Sequence, residues 1–212
     1  MQINDKLVNQ IVDAVVQRLS DNETPEDRPA GRPGPRNPES PGVFQSMDDC
    51  IPAAVAAQKK LLNLPIETRR RIIQAIRDTG QATAADYGRM EFEETGLGKR
   101  DDNVDKNRSS CEVLGMEDLV PEVYAGDKGV TIIERIPVGV IASVHPVTNA
   151  APSILFNAIM MISGGNAVVV NPHPKTKRVS ARVICDLNQA IIAAGGPADC
   201  LCCQEEPSVP SA

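Results

Sequence analysis

Two short polar loops carry the residues of this chain best suited to chemistry, His145 to Ala151 and Asn171 to Pro174. In the first, Asn149 stands just before an apolar helical pattern. A lone carboxamide there reads, from its position alone, as the cap of that helix. In the second, Asn171, Pro172, His173 and Pro174 hold the backbone extended. Lys175, Lys177, Arg178 and Arg182 follow, as a solvated basic face or as phosphate contacts. His173 reads as a ribose or adenine contact or, equally, as a loop imidazole without a partner. The position of His145 in the first loop gives it no specific role.

The elements that must position these loops are legible around them. VGVIASV is an unbroken apolar and small run of strand length, and NAVVVN repeats it after Gly164 and Gly165. Runs without polar alternation suit parallel strands buried on both faces. Between them Pro152 suits a helix start, and Ile154, Leu155, Ala158, Ile159 and Ile162 recur at helical spacing. Strand, helix, strand is a crossover unit, which brings both loops to the same carboxyl edge of the sheet, where open α/β folds bind ligands. The predicted class is α/β, with helices over Ala53–Leu62, Ile66–Thr79, Ala82–Glu94, Asp101–Leu114 and Thr176–Ala194. Gly129–Val144 is predicted to be an extended pair of strands, TIIERI and VGVIASV, pivoting at Pro137, and a last strand to cover Asp199–Gln204.

The chain has 212 residues, 42% of them hydrophobic but only 2% aromatic, so aliphatic side chains must fill its core. A formal net charge of −6 argues against a nucleic-acid binder. No run is long and apolar enough for a membrane span, and the N-terminus lacks a signal-peptide core, so a cytoplasmic location is expected. The six cysteines then read as reduced thiols. Cys50, Cys111 and Cys185 fall in helix-like segments as small buried hydrophobes. Cys200, Cys202 and Cys203 lack paired C-x-x-C spacing, and strand alternation would split Cys202 and Cys203, so no metal site is expected.

Before the α/β unit the chain divides into residues 1–20, 21–45 and 46–128. Leu7, Val8, Ile11, Val12, Val15, Val16 and Leu19 make one apolar stripe over residues 4–20, with Asn4 as a cap. Six prolines and three glycines between Ser20 and Val43 read as a disordered linker. A helix isolated in this way needs a partner surface, either the main domain, a second copy or another protein. Arg69, Arg70 and Arg71 read as a solvated helix face.

An ordered series of segments adds a family. AAVAAQKKLLNLPIETRRRIIQAIR, EETGLGK, EDLVPEVYAGDKGVTIIERIPVGVIASV, TNAAP, GGNAVVVNPHP and KRVSAR run through about residues 47–206. Together they resemble the aldehyde dehydrogenase superfamily, and within it the CoA-acylating branch packaged in bacterial microcompartments. The resemblance implies the N-terminal part of that fold, a helical region followed by an incomplete Rossmann-like parallel sheet over 129–212. It implies NAD as cofactor, CoA as cosubstrate and a short-chain aldehyde as substrate. It makes Asn149 the catalytic oxyanion donor and places Val147, Thr148, Asn171, Pro172, His173 and Lys175 at the cofactor. Family members that hold adenosine ribose with a Lys and a Glu in the second loop have them where this chain has Asn171 and Pro174. A carboxylate at position 174 would repel the 3′-phosphate of CoA. The Pro usual after the loop Asn is here Ala150.

The resemblance also makes residues 4–20 an encapsulation peptide for a shell protein, and the microcompartment lumen the location. It puts the nucleophilic cysteine after Ala212, so the chain by itself is expected to be inactive, to expose a sheet edge near Gln204, and to aggregate or form a homo-oligomer. The rival readings are an inactive assembly module, which would bind shell or complete subunits, and a cysteine-cluster metal protein.

Overall fold

The computed structural model describes residues 40–208; the segment 4–20 and most of the expected linker lie outside them. Its centre is a four-stranded parallel sheet of order β1-β6-β5-β4, formed by β1 (Val43–Phe44), β4 (Val140–Val144), β5 (Ala167–Asn171) and β6 (Leu201–Gln204). β5 and β6 have every residue buried, as their unbroken apolar runs require between two helical layers. β4 does not: it is an outer strand, and Val144 is 64% exposed. Its apolar run therefore marks only one covered side. β6, expected to be the open edge, is internal instead, because Val43 and Phe44 pair with Cys203 and Gln204. Two residues are too few to show a strand pattern, so β1 was hidden in the expected linker.

The helices are α1 (Met47–Leu62), α2 (Ile66–Thr95), α3 (Arg100–Ser110), α4 (Ala150–Ser163) and α5 (Lys177–Ala193). On one side of the sheet, Cys50, Ala53 and Ala54 of α1 pack against Ala167, Val169 and Cys202. On the other, Ile72 and Ile76 of α2, Leu155 and Ile159 of α4, and Ile184 and Leu187 of α5 meet Val168, Val170 and Leu201. α1 begins earlier than predicted because Ser46 caps it, its Oγ accepting from Asp49 N. α2 is one helix where a break after Thr79 was predicted. Gly80 does not interrupt it: a Cβ there would lie 2.5 Å from Cys111 Sγ and 2.8 Å from Leu155 Cδ2, so glycine lets α2 approach its neighbours closely. The helix ends at Gly96, whose φ of 69° is left-handed. Arg70 and Arg71 are exposed as predicted, and only Arg69 is half-buried.

β2 (Glu122–Gly126) and β3 (Gly129–Ile133) form an antiparallel hairpin with every residue exposed. Both predicted strands are present, TIIERI contributing to β3 and VGVIASV to β4, but they lie in different sheets, and β3 pairs with EVYAG, a strand absent from the sequence reading. The expected boundary between residues 128 and 129 falls inside the hairpin turn. No described helix is long and apolar enough to cross a membrane.

Candidate functional site

The parallel register pairs Val144 with Asn171, so the two polar loops leave neighbouring strands at the same level. His145 N donates to Asn171 O at 3.1 Å and ties the loops together. Val147, Thr148 and Asn149 complete the first loop. Asn149 occupies the cap position of α4, and its carbonyl accepts from Ser153 N, yet its side chain makes no capping hydrogen bond. Beside it a cleft of about 350 Å³ opens between Lys106, Ser109 and Ser110 of α3 and Ser153 and Phe156 of α4. Asn149 itself lines that cleft.

Beneath that loop lies a buried polar cluster. Asn157 Nδ2 donates to Ser143 Oγ at 2.9 Å and approaches His145 Nε2 at 3.2 Å, while Ser143 Oγ and His145 Nε2 are 2.8 Å apart. Asn157 Nδ2 can only donate, so the assignment that fits has Nε2 accepting, from it and from the Ser143 hydroxyl, with the imidazole proton on Nδ1. Burial lowers the His145 pKa to about 4, opposed by a smaller effect of the Ala150 backbone; Nδ1 itself makes no well-formed hydrogen bond. Neutral and 4% exposed, His145 braces the base of the loop with Ser143. It does not serve as a base at the surface.

The second loop is closed on itself. His173 Nδ1 accepts from Lys175 N at 3.1 Å, and His173 O accepts from Thr176 Oγ1 at 2.9 Å. His173 therefore has a partner, which the reading of a loop imidazole without one did not foresee. Asn171 and Pro172 are buried and shape the loop, whereas Lys175 is exposed. Most of the basic residues that follow are engaged: Lys177 Nζ pairs with Glu206 at 2.7 Å and Arg182 Nε with Asp186 at 2.7 Å. The start of α5 is taken as well, since Glu94 accepts from Arg178 N at 2.8 Å and Val179 N at 2.9 Å. A phosphate finds these amides occupied.

The sequence did not reveal two glutamates of α2, Glu94 and Glu91. Glu91 is 5% exposed and accepts from Ala151 N at 2.9 Å and Asn107 Nδ2 at 3.3 Å. Burial raises its pKa, and the backbone N–H of Ala151 works against that. Nor did the sequence point to Lys106, Ser109 and Ser110 as a cleft wall. The only available signal was the spacing of Glu91 and Glu94, three apart and so on one helix face.

None of the cysteines has the environment of a nucleophile. Burial raises Cys50 and Cys200 to about 12 and Cys111 to about 11, and it also raises Cys185, Cys202 and Cys203. Such thiols stay protonated near neutral pH. Cys202 packs on one side of the sheet and Cys203 on the other, as strand alternation predicted, while Cys200, just before β6, lies on the side of Cys203.

Residues 44–205 match the aldehyde dehydrogenase family. The acetylating acetaldehyde dehydrogenase of Salmonella typhimurium is 39% identical over 211 residues, which are 99% of this chain and 43% of that protein. Among solved structures, a Rhodopseudomonas palustris propionaldehyde dehydrogenase with bound CoA and an acylated cysteine superposes with a TM-score of 0.77 and 38% identity, over 80% of this chain and 39% of that one. A propionaldehyde dehydrogenase from the fucose utilisation bacterial microcompartment of Clostridium phytofermentans gives a TM-score of 0.78 and 37% identity, over 81% and 40%. The chain thus spans about 40% of the length of these relatives, and its fold matches their N-terminal part.

Proposed function

The chain belongs to the aldehyde dehydrogenase family, and from that premise we propose that it is the N-terminal portion of a CoA-acylating enzyme that oxidises a short-chain aldehyde to acyl-CoA with NAD. The observation that carries this reading is the uncapping side chain of Asn149, set at the rim of a cleft on the sheet's carboxyl edge. In the complete enzyme a cysteine thiolate adds to the aldehyde carbon, and Asn149 Nδ2 donates to the oxygen that becomes negative. The carbonyl re-forms as the hydride leaves, giving an enzyme thioester. The thiolate of CoA then displaces the cysteine and carries away the acyl group. An oxyanion donor of this kind is typically worth about 3 to 4 kcal/mol. The nucleophile comes from outside these 212 residues, because the thiols present are held protonated.

The residues fit the adenosine end of a dinucleotide. Val147, Thr148, Pro172, His173 and Lys175 frame the edge where it would lie, with Asn171 tying the loops beneath, and the plugged start of α5 leaves the pyrophosphate to be held elsewhere. NAD supplies the hydride acceptor when bound. Pro174 in place of a carboxylate suits a pocket that takes NAD first and CoA second. The exposed apolar hairpin, with Val130 at 65% and Ile132 at 62%, supports a homo-oligomer in which a second copy covers it. Residues 4–20 would dock on a shell protein and place the enzyme in a microcompartment lumen. Leu7→Asp with Val15→Asp should then abolish shell entry of a fluorescent protein carrying residues 1–20, and unchanged entry would remove that part of the reading.

A chimera tests the chemistry. Residues 44–205, placed in the Salmonella typhimurium relative in exchange for its matching segment, should support NADH formation dependent on both aldehyde and CoA. In the same chimera Pro174→Glu should weaken CoA more than NAD. A folded chimera that binds shell or subunits without turnover would favour the assembly-module reading instead.

A further inference from the structure

The start of α4 is built so that Asn149 has nothing to cap. A cap side chain accepts from the backbone N–H of the second or third helical residue. In α4 the third residue is Pro152, which has no N–H, and the second is Ala151, whose N–H donates at 2.9 Å to Glu91 Oε1. Both ordinary partners of the Asn149 side chain are thus removed, one by an imino acid and the other by a carboxylate from another helix. Asn149 keeps the backbone role of a cap, with its carbonyl accepting from Ser153 N, but its ψ of 58° lies away from the extended conformation of most caps.

The carboxylate is held for this purpose by its own support. Glu91 Oε2 accepts from Asn107 Nδ2 at 3.3 Å, and Asn107, fully buried, also donates to Ala84 O at 3.3 Å. Burying a charged group costs stability unless it is hydrogen-bonded, so a carboxylate 5% exposed is an expensive cap where a carboxamide already stood one residue before the helix. A carboxamide that caps is pinned by its Oδ1 over the helix axis. One that does not is free to aim its N–H groups at the cleft.

We propose that Glu91 is a positioning residue which, together with Pro152, takes the capping of α4 away from Asn149 and so keeps the Asn149 carboxamide available to a ligand oxygen. The catalytic meaning of this arrangement rests on the oxyanion reading above, but the arrangement itself can be tested without turnover.

The test is a double-mutant cycle on the full chain, read by calorimetric melting. Asn149→Ala alone should move the midpoint by less than about 1 °C, because no cap is lost, whereas loss of a true cap shifts a chain of this size by about 2 to 4 °C. In a Glu91→Ala background the Asn149 side chain becomes the cap of Ala151 N, so the same Asn149→Ala change should now cost about 2 to 4 °C. Glu91→Gln, which keeps an acceptor, should leave Asn149→Ala silent. Equal costs of Asn149→Ala in the wild-type and Glu91→Ala backgrounds would overturn the proposal. Should Glu91→Ala fail to fold, the wild-type and Glu91→Gln backgrounds decide alone: an unmoved midpoint in both supports it, and a drop of about 2 to 4 °C in either overturns it. A failed cycle leaves the oxyanion role standing; full turnover of Asn149→Ala in the chimera sinks that role and leaves the cycle untouched.

Discussion

The loop after β4 and the loop after β5 leave neighbouring strands at the same sheet edge, and both feed helices whose first amides are met by glutamates of α2. They differ in what is left over. In the second loop the His173 and Thr176 side chains bond to the loop's own backbone, giving a fixed wall. In the first, the polar side chain at the cap position is left out of the capping and faces a cleft. One topology thus yields a loop closed on itself and a loop with a polar side chain left over, and the distribution of caps decides which is which.

The largest effect that would sharpen this contrast is acid sensitivity confined to the first loop. His145 is held neutral, its pKa lowered by burial from 6.5 to about 4. As pH falls the unfolded chain takes up that proton first, so the stabilisation is complete above the unfolded value, is lost between pH 6.5 and about 4, and changes no further below. The loss amounts to about 3 kcal/mol. Urea midpoints at about pH 7 and about pH 4.5 should therefore fall further in the wild type than in His145→Gln, and parallel falls would contradict the account.

A smaller effect belongs to the second loop. Glu94→Ala removes the acceptor of two amides at the start of α5 and should cost about 1 to 2 kcal/mol in calorimetric melting. If it costs nothing, the second loop is not held closed from α2. In the chimera the same change should leave kcat nearly unaltered, because Glu94 touches no group placed at the reaction.

How much of this could be read from the chain depends on how local each signal is. The crossover unit was legible because Val168, Val169 and Val170 and the helix of Ile154, Leu155 and Ile159 carry their own periodicity. The end of α5 was legible in Gly195 and Gly196. The hairpin was not, because its strands are exposed on every side and show no alternation against a core, so only the turn from Gly126 to Gly129 could have marked it. The outer position of β4 was equally hidden, since an apolar run does not say which side is covered. Asn149 was visible, but the acceptor that meets Ala151 N in its place is Glu91, 58 residues earlier in the chain. Glu91 and Glu94 sit among Glu93, Arg89 and Arg100 and look like any solvated charged face.

The contrast between the loops is tested most directly by comparing Asn149→Ala with His173→Ala in the active chimera, measuring kcat and the KM for NAD. Asn149→Ala should lower kcat by about a hundred- to a thousandfold with little change in KM. His173→Ala should raise the KM for NAD and leave kcat close to wild type. An Asn149→Ala chimera with an unchanged kcat would contradict the claim that the first loop holds the catalytic donor.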